Sequence, residues 1–448
     1  MQTQKSKALP PGPNRLEMLK ILYQVKTSGT GPAFLKLRED YGDIIFLPIF
    51  NRYVIFDPKD IKHVLKDNKK NYLKSNTIEF VKTFLGEGLA TSDGVLWKKQ
   101  RRNVGKEFHR ASIKHYTPAM IKLAKKYVNK WGEGNSQIDV SQELLDLTFD
   151  IACEVFFGIE SGVQTEKLRD AFVICADMAV TRGRALIPLP NFMMKNKLAE
   201  EQKALETMDN IVFDIIKLHE QGGGSDDNVL TKLLQYTDEE TGEKMSQKQL
   251  RDELITVLVG GFETTCNALI WTIYLLASNP DSYKKVEAEL DKQLDDDNVG
   301  MDQLMGLPYL TQCFQESMRL YPPFPVLSRR NLESDSIAGY GIAPDQHIYI
   351  MPYVTHRDPE YFENPGAFNP DRFSRDQKIN ESGIAYLPFG EGQRKCIGEN
   401  FAMIEGITLL AIILRNFHFE LVPGFEPEPK FSITLYSANG MPMKISKR

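Results

Sequence analysis

Between Ser246 and Pro280 the chain carries a helical pattern that sets terms for everything packed around it. Ser246 with Gln249 three residues on is a capping-box signal, and Asn279 before Pro280 stops the pattern, giving a helix of roughly 30 residues. At 1.5 Å per residue such a helix is about 45 Å long, enough to cross a whole domain. Residues 254–261 and 268–277 are apolar almost all round, so the helix must be buried in protein or in lipid. Glu263, Thr264, Thr265, Cys266 and Asn267 interrupt it at the centre, where a charge is costly in hydrocarbon, so it reads as a core helix with a polar notch. Buried Glu and Thr need partners or a task. One reading is a satisfied polar pair at a kink. The other starts from Gly260 and Gly261 just before them, which remove side chains and open a gap where a small molecule can lie.

A chain of 448 residues, 42% hydrophobic and 26% charged, can bury a core large enough to enclose a cofactor. No linker-like segment divides it, so residues 1–448 read as one domain with a Pro-rich lead over 1–14. Helical periodicity covers 58–67, 94–108, 118–131 and 140–157. Strand-like runs at 44–49 and 52–56 form an expected hairpin, and others lie at 336–342, 347–351, 417–422 and in the tail around 431–445. The class is mainly α with minor β, the small sheets lying near the two ends. Residues 221–227 and 291–297 read as exposed loops.

A net charge of −5 gives no nucleic-acid footprint. Five widely spaced cysteines, an odd number with no CxxC pair, argue against a disulfide framework or a zinc site and for a reducing, cytoplasmic setting. Residues 1–9 hold no run of signal-peptide or anchor length.

One cysteine stands in a constrained setting. Phe389-x-x-Gly392-x-Arg394-x-Cys396-x-Gly398 precedes an apolar helix expected from Asn400 to Leu414. A lone cysteine is most often a small buried hydrophobe. Here a helix amino terminus favours thiolate over thiol, Gly392 and Gly398 let the backbone come close to the sulfur, and Phe389 offers an apolar cover. Elsewhere, Glu316 and Arg319 lie at i and i+3 of a helix over 308–320, Arg372 follows in Phe368-Asn369-Pro370-Asp371-Arg372-Phe373, and Trp97 and Arg101 are one turn apart. Each pair alone is commonplace on a helix surface.

Together and in this order these segments resemble the cytochrome P450 family, whose haem-binding loop supplies a cysteine thiolate as axial ligand. The resemblance implies the P450 fold, with the long central helix over haem b and Cys396 on the iron. It implies that Gly260, Gly261, Glu263 and Thr264 form the oxygen-binding groove, with Glu263 and Thr264 relaying protons. It makes Glu316, Arg319 and Arg372 a structural charge triad. Trp97, Arg101, Arg394 and Arg329 become partners of the haem carboxylates, Arg330 being the alternative to Arg329. Phe389, Gly392, Gly398 and Gly261 become further cofactor contacts.

The implied activity is monooxygenation, one atom of dioxygen entering an apolar substrate such as a fatty acid or terpenoid. Electrons come ultimately from NAD(P)H through a separate ferredoxin or flavodoxin-type donor, docking on a basic patch of Lys98, Arg102, Lys106 and Lys395. The substrate walls implied are 80–89, 186–194, 257–261 and 324–327 with Leu435 and Tyr436, and in particular Phe84, Val257, Gly260, Val326, Leu327, Leu435 and Tyr436. Segments 97–109 and 396–406 look more like the branch that contains fatty-acid and carotenoid hydroxylases. The segment 8–13 resembles the hinge after the anchor of membrane-bound members, without that anchor, so a soluble bacterial-type monomer is expected, or a chain whose anchor was removed. Two other classes remain at this level: a peroxide-driven haem-thiolate enzyme or isomerase, against which the intact Glu263 and Thr264 argue, and a non-catalytic haem sensor.

Overall fold

The computed structural model describes residues 9–75, 79–132, 136–184, 194–223, 227–238, 242–294, 300–375 and 384–448. The substrate wall expected over 186–194 therefore lies outside the described residues except for Met194, and parts of the loops at 221–227 and 291–297 lie outside them too.

The central helix is Gln247–Ser278, with Ser246 Oγ accepting the Gln249 N–H at 3.2 Å. It packs against the helices Val140–Ala152, Lys195–Glu220, Pro308–Leu320 and Glu399–Asn416. Phe262 shows how tightly: its ring meets Phe149 edge-on at 5.0 Å and Phe172 at 5.2 Å. The helix is long and apolar enough to cross a membrane, but its apolar residues are covered by this protein.

The largest sheet has five strands, in the order Ile44–Leu47, Arg52–Ile55, His347–Ile350, Leu327–Asn331 and Tyr72–Lys74. The first two form the expected hairpin, Ile44 opposite Ile55, and Arg52–Ile55 runs parallel to His347–Ile350. At the far edge Lys74 stands directly opposite Arg329 in an antiparallel pair. A second sheet joins Gln137–Asp139, Pro442–Lys447 and Phe417–Leu421.

Several boundaries differ from the sequence reading. The helix expected from Pro118 begins at Arg110 and takes Pro118 inside, because Ile113, Tyr116 and Thr117 are buried and their packing outweighs the hydrogen bond proline cannot make. The run 336–342 is two short strands, Asp335–Ile337 and Tyr340–Ile342, turned by Ala338 and Gly339 at φ 48° and 83°. The tail holds three strands, Pro429–Phe431, Leu435–Ser437 and Pro442–Lys447. The helices that the sequence reading did not place include Arg15–Ser28 and Thr30–Tyr41; the first has a complete capping box between Asn14 and Glu17.

Candidate active site

The cysteine loop is a set of tight turns. Gly390 N–H donates to Leu387 O at 3.0 Å, Lys395 N–H to Gly392 O at 3.1 Å, and Cys396 N–H to Phe389 O at 2.9 Å. Gly392 sits at φ +74°, and a Cβ there would run into the Leu65 carbonyl, so its lack of a side chain serves the approach of the loop to the turn at His63–Asp67 and not to the sulfur. Gly398 is the glycine beside the sulfur: a Cβ there would stand 3.8 Å from Cys396 Sγ and 3.8 Å from the Phe108 ring. The helix that follows starts at Glu399, capped by Gly398, one residue before the expected Asn400.

Cys396 lies deep in the molecule yet keeps accessible surface, so it borders an internal space. Burial pushes its thiol up, against the Gly398 N–H and the charges of Arg101 and Lys395, which pull it down. The helix terminus alone therefore does not make this sulfur an anion; a metal cation at the sulfur would.

Beside the loop, cations converge. Trp97 is buried, and the Arg394 guanidinium lies over its ring at 3.9 Å from the centroid. Arg394 Nη1 donates to Ser92 O at 3.0 Å and its other nitrogen pairs with Asp93. Arg101 Nη1 donates to Lys395 O at 2.6 Å, next to the cysteine. Arg329 and Lys74 project from opposed positions on neighbouring strands, and Lys74 reaches the Ala90 carbonyl. Arg330, whose side chain alternates to the other face, pairs with Asp345 at 2.5 Å. Burial holds Arg329 down at about 10, Asp93 opposing; it holds Arg394 down at about 10, with Arg329 and Arg101 adding to it. Lys74 is held down at about 7 by burial and then by Arg394, Arg329 and Arg101. Like charges directly opposite on a sheet repel. Among the described residues one carboxylate, Asp93, answers Lys74, Arg329 and Arg394, with Arg101 close by, so the cluster fits a group bringing two more negative charges. Lys74 escaped the sequence reading, because its role comes only from the strand register.

On the central helix, Thr264 Oγ1 donates to Gly260 O at 2.8 Å. A Cβ at Gly260 would meet nothing within 4 Å, so this position faces open space, whereas one at Gly261 would strike the Phe156 ring. Gly261 therefore packs its side-chain direction against Phe156 and leaves the opening to Gly260. Glu263 is deep, and burial raises its carboxyl against the Thr434 hydroxyl, which donates to Oε1 at 2.6 Å. Asn267 Nδ2 donates to Thr434 Oγ1 at 3.2 Å, forming a string of Asn267, Thr434 and Glu263. Thr434 carries no sequence signal.

Of the expected substrate walls, Val326, Leu327 and Gly260 keep open surface, and Leu327 lies over Gly390 of the cysteine loop. Val257 is buried on the central helix, one turn before Gly260. Phe84 is 1% exposed and packs on Phe172, and Leu435 is 0% exposed among Ile45, Val54 and Phe431, so both belong to the core. Tyr436 alternates to the other face, its ring under the Lys430 amine at 5.8 Å.

The charge triad is closed. Arg319 Nε and Nη2 donate to Glu316 at 2.7 and 2.8 Å, both residues being wholly buried, and Arg372 Nε reaches Glu316 Oε1 at 3.3 Å. His356, missed in the sequence, links this triad to the cysteine loop. Leu387 N–H donates to its Nε2 at 2.9 Å, which leaves Nδ1 to carry the proton and donate to Arg319 O at 3.1 Å.

The basic patch is mixed. Lys98 is exposed, but Arg102 lies 3.5 Å from Asp238, Lys106 sits over the Tyr236 ring at 5.2 Å, and Lys395 pairs with Glu399 at 2.7 Å.

A sequence model described as Cytochrome P450 matches residues 10–442. The chain is 32% identical to the carotene epsilon-monooxygenase, chloroplastic, of Arabidopsis thaliana, over 93% of this chain and 83% of that one. It is 31% identical to the cyclooctatin synthase of Streptomyces melanosporofaciens, over 90% and 88%. In fold it resembles the crystal structure of the cytochrome P450DA heme domain, with a TM-score of 0.90 at 24% identity, covering 99% of each chain.

Proposed function

The chain belongs to the cytochrome P450 family and is an oxidoreductase of its monooxygenase class, and from that premise we propose that the Cys396 thiolate would hold the iron of haem b. Lys74, Arg101, Arg329 and Arg394 would hold its two carboxylates, with Trp97 as the platform for Arg394. The observation that carries this reading is the cluster of four half-buried cations, with Asp93 as the acid paired to it among the described residues, placed beside an accessible cysteine. Bound there, haem supplies dioxygen activation, with the thiolate pushing electron density toward oxygen.

The chain's own residues do the rest. Gly260 leaves room on the central helix, and Thr264 Oγ1, whose own proton goes to Gly260 O, keeps lone pairs with which to accept a proton there. Glu263 is the proton reserve. Burial favours its protonated form, and because Thr434 donates to Oε1, the proton is held at Oε2 and handed on through Thr264 Oγ1. Asn267 holds Thr434 in that orientation.

The substrate is an apolar organic molecule of fatty-acid or terpenoid kind. The open apolar side chains of Val326 and Leu327 support this, as does the relative whose name makes a carotene its substrate. Electrons originating in NAD(P)H arrive through an acidic carrier of ferredoxin or flavodoxin type that docks near Lys98, a contact that would speed encounter more than it tightens binding. The setting is cytoplasmic, consistent with five free cysteines.

The test is the absorbance of the reduced protein with carbon monoxide. A red-shifted Soret band of thiolate ligation, lost in Cys396→Ala, is expected; a band typical of histidine ligation would overturn the assignment. Thr264→Ala is expected to keep the band while releasing peroxide in place of product, and unchanged coupling removes Thr264 from the proton path.

A further inference from the structure

Residues 86–93 form a strap held from two sides. Its ends turn at Gly86 and Gly94, both at φ +63°. From the central helix, Asp252 Oδ2 accepts the Glu87 N–H and Glu253 Oε2 accepts the Leu89 N–H, each at 3.0 Å. From the cation cluster, Arg394 takes Ser92 O and Asp93, and Lys74 takes Ala90 O. Gln100 Nε2 braces it from behind through Glu87 O at 2.6 Å. At Gly88 the strap lies so close to the helix that a Cβ would strike Asp252 O and Thr256 Oγ1.

The two carboxylates are not equivalent. Asp252 also pairs with Lys248 at 2.8 Å and Arg251 at 3.0 Å, so its charge is answered. Glu253 is 0% exposed, takes part in no ion pair among the described residues, and its Oε1 has no hydrogen-bond partner. A carboxyl kept in such a place is costly unless it has a task. Its helix position supplies one: residues 253, 257, 260 and 264 follow the spacing of one helix face, so Glu253 shares a face with Gly260 and Thr264.

We propose that Glu253 is a positioning residue that fixes the strap at 86–93 against the active-site face of the central helix, and thereby sets the shape of the pocket in which substrate is selected. Its acceptor bond to Leu89, with the close approach of Gly88 to Thr256, holds the strap on the helix about one turn before Gly260. The word substrate rests on the monooxygenase reading; the restraint on the strap does not.

Hydrogen exchange of the full chain, followed by mass spectrometry, tests it. Glu253→Ala is expected to speed exchange of the 87–92 amides about tenfold, as befits one buried hydrogen bond to an acidic group, while Glu399–Asn416 exchanges as before. Glu253→Gln keeps an oxygen that can accept the Leu89 N–H, so it is expected to stay within about twofold of the parent. Gly88→Ala lifts the strap without touching Glu253 and is expected to reproduce the effect of Glu253→Ala. Unchanged strap exchange in Glu253→Ala, faster exchange throughout the molecule, or a Gln variant as mobile as the Ala variant would each overturn the proposal. None of these readings needs haem, so failure of the carbon monoxide test leaves this one standing.

Discussion

Arg319 and Arg329 are guanidiniums in adjoining segments of the chain, the first wholly buried and the second deep but half-exposed, and their surroundings could hardly differ more. Arg319 spends all its donors: Nε and Nη2 on Glu316, Nη1 on the carbonyls of His356 and Pro365, and Nη2 again on Ala367. Arg329 has one hydrogen bond among the described residues, to Ser328 O of its own strand, and faces Lys74 across the ladder. A completed set of partners marks a charge that holds the scaffold. An excess of one sign around a deep, half-exposed group is what the proposed seat for an anionic partner requires.

Substitution is expected to separate the two regions sharply. Glu316→Gln leaves two buried arginines without their anion and should cost about 3–5 kcal/mol of folding stability in denaturant titration. A loss below about 1 kcal/mol would erase the distinction between the regions. Glu253 offers a middle case, an acid with a bond but no cation, pushed up to about 7 by burial, with the Leu89 N–H opposing and Asp252 adding to the shift. Its folded form binds the proton more tightly than the unfolded chain does, so its contribution is fully present below about pH 4.5 and is lost as pH rises through about 7, on the order of 3 kcal/mol in all. Chemical denaturation at several pH values should show that decline, and Glu253→Gln should flatten it in this window. Arg329→Leu is expected to leave the stability of the chain without prosthetic group unchanged or slightly higher, while haem is lost to a competing apoprotein about tenfold faster, the worth of one charge-assisted hydrogen bond. Equal haem loss from both proteins would return Arg329 to the scaffold class.

The triad was legible because its geometry is mostly local. Glu316 and Arg319 are one turn apart on a helix, and Asn369 to Arg372 reads as a turn that can reach them. The central helix was legible for a similar reason, its cap, stop and polar notch lying within one continuous pattern. Lys74 and Thr434 were not, since each acquires its neighbours only when distant strands come into register or a hairpin meets the helix. Two adjacent glycines look alike on paper, yet Phe156 fills the space beside Gly261 and none fills that beside Gly260. Leu435 and Tyr436 pose the same difficulty in a strand, where period-two alternation says that they part company but not which one enters the core. The first helices had readable signals in Asn14 with Glu17, but their mixed polarity gives only a weak stripe to follow.

His356 has a last consequence. Histidine is the side chain expected to change character near neutrality. This one is held down at about 3 by burial, with Arg319 and Arg357 adding to the effect. Of the chain's seven histidines, it is the one built into the support of the cysteine loop, and it behaves as a fixed pin with a single donor direction. Mild acidification can therefore alter the surface of this molecule while the span from Arg319 to Leu387 keeps its length, giving the cysteine loop a mounting that ignores the weather outside.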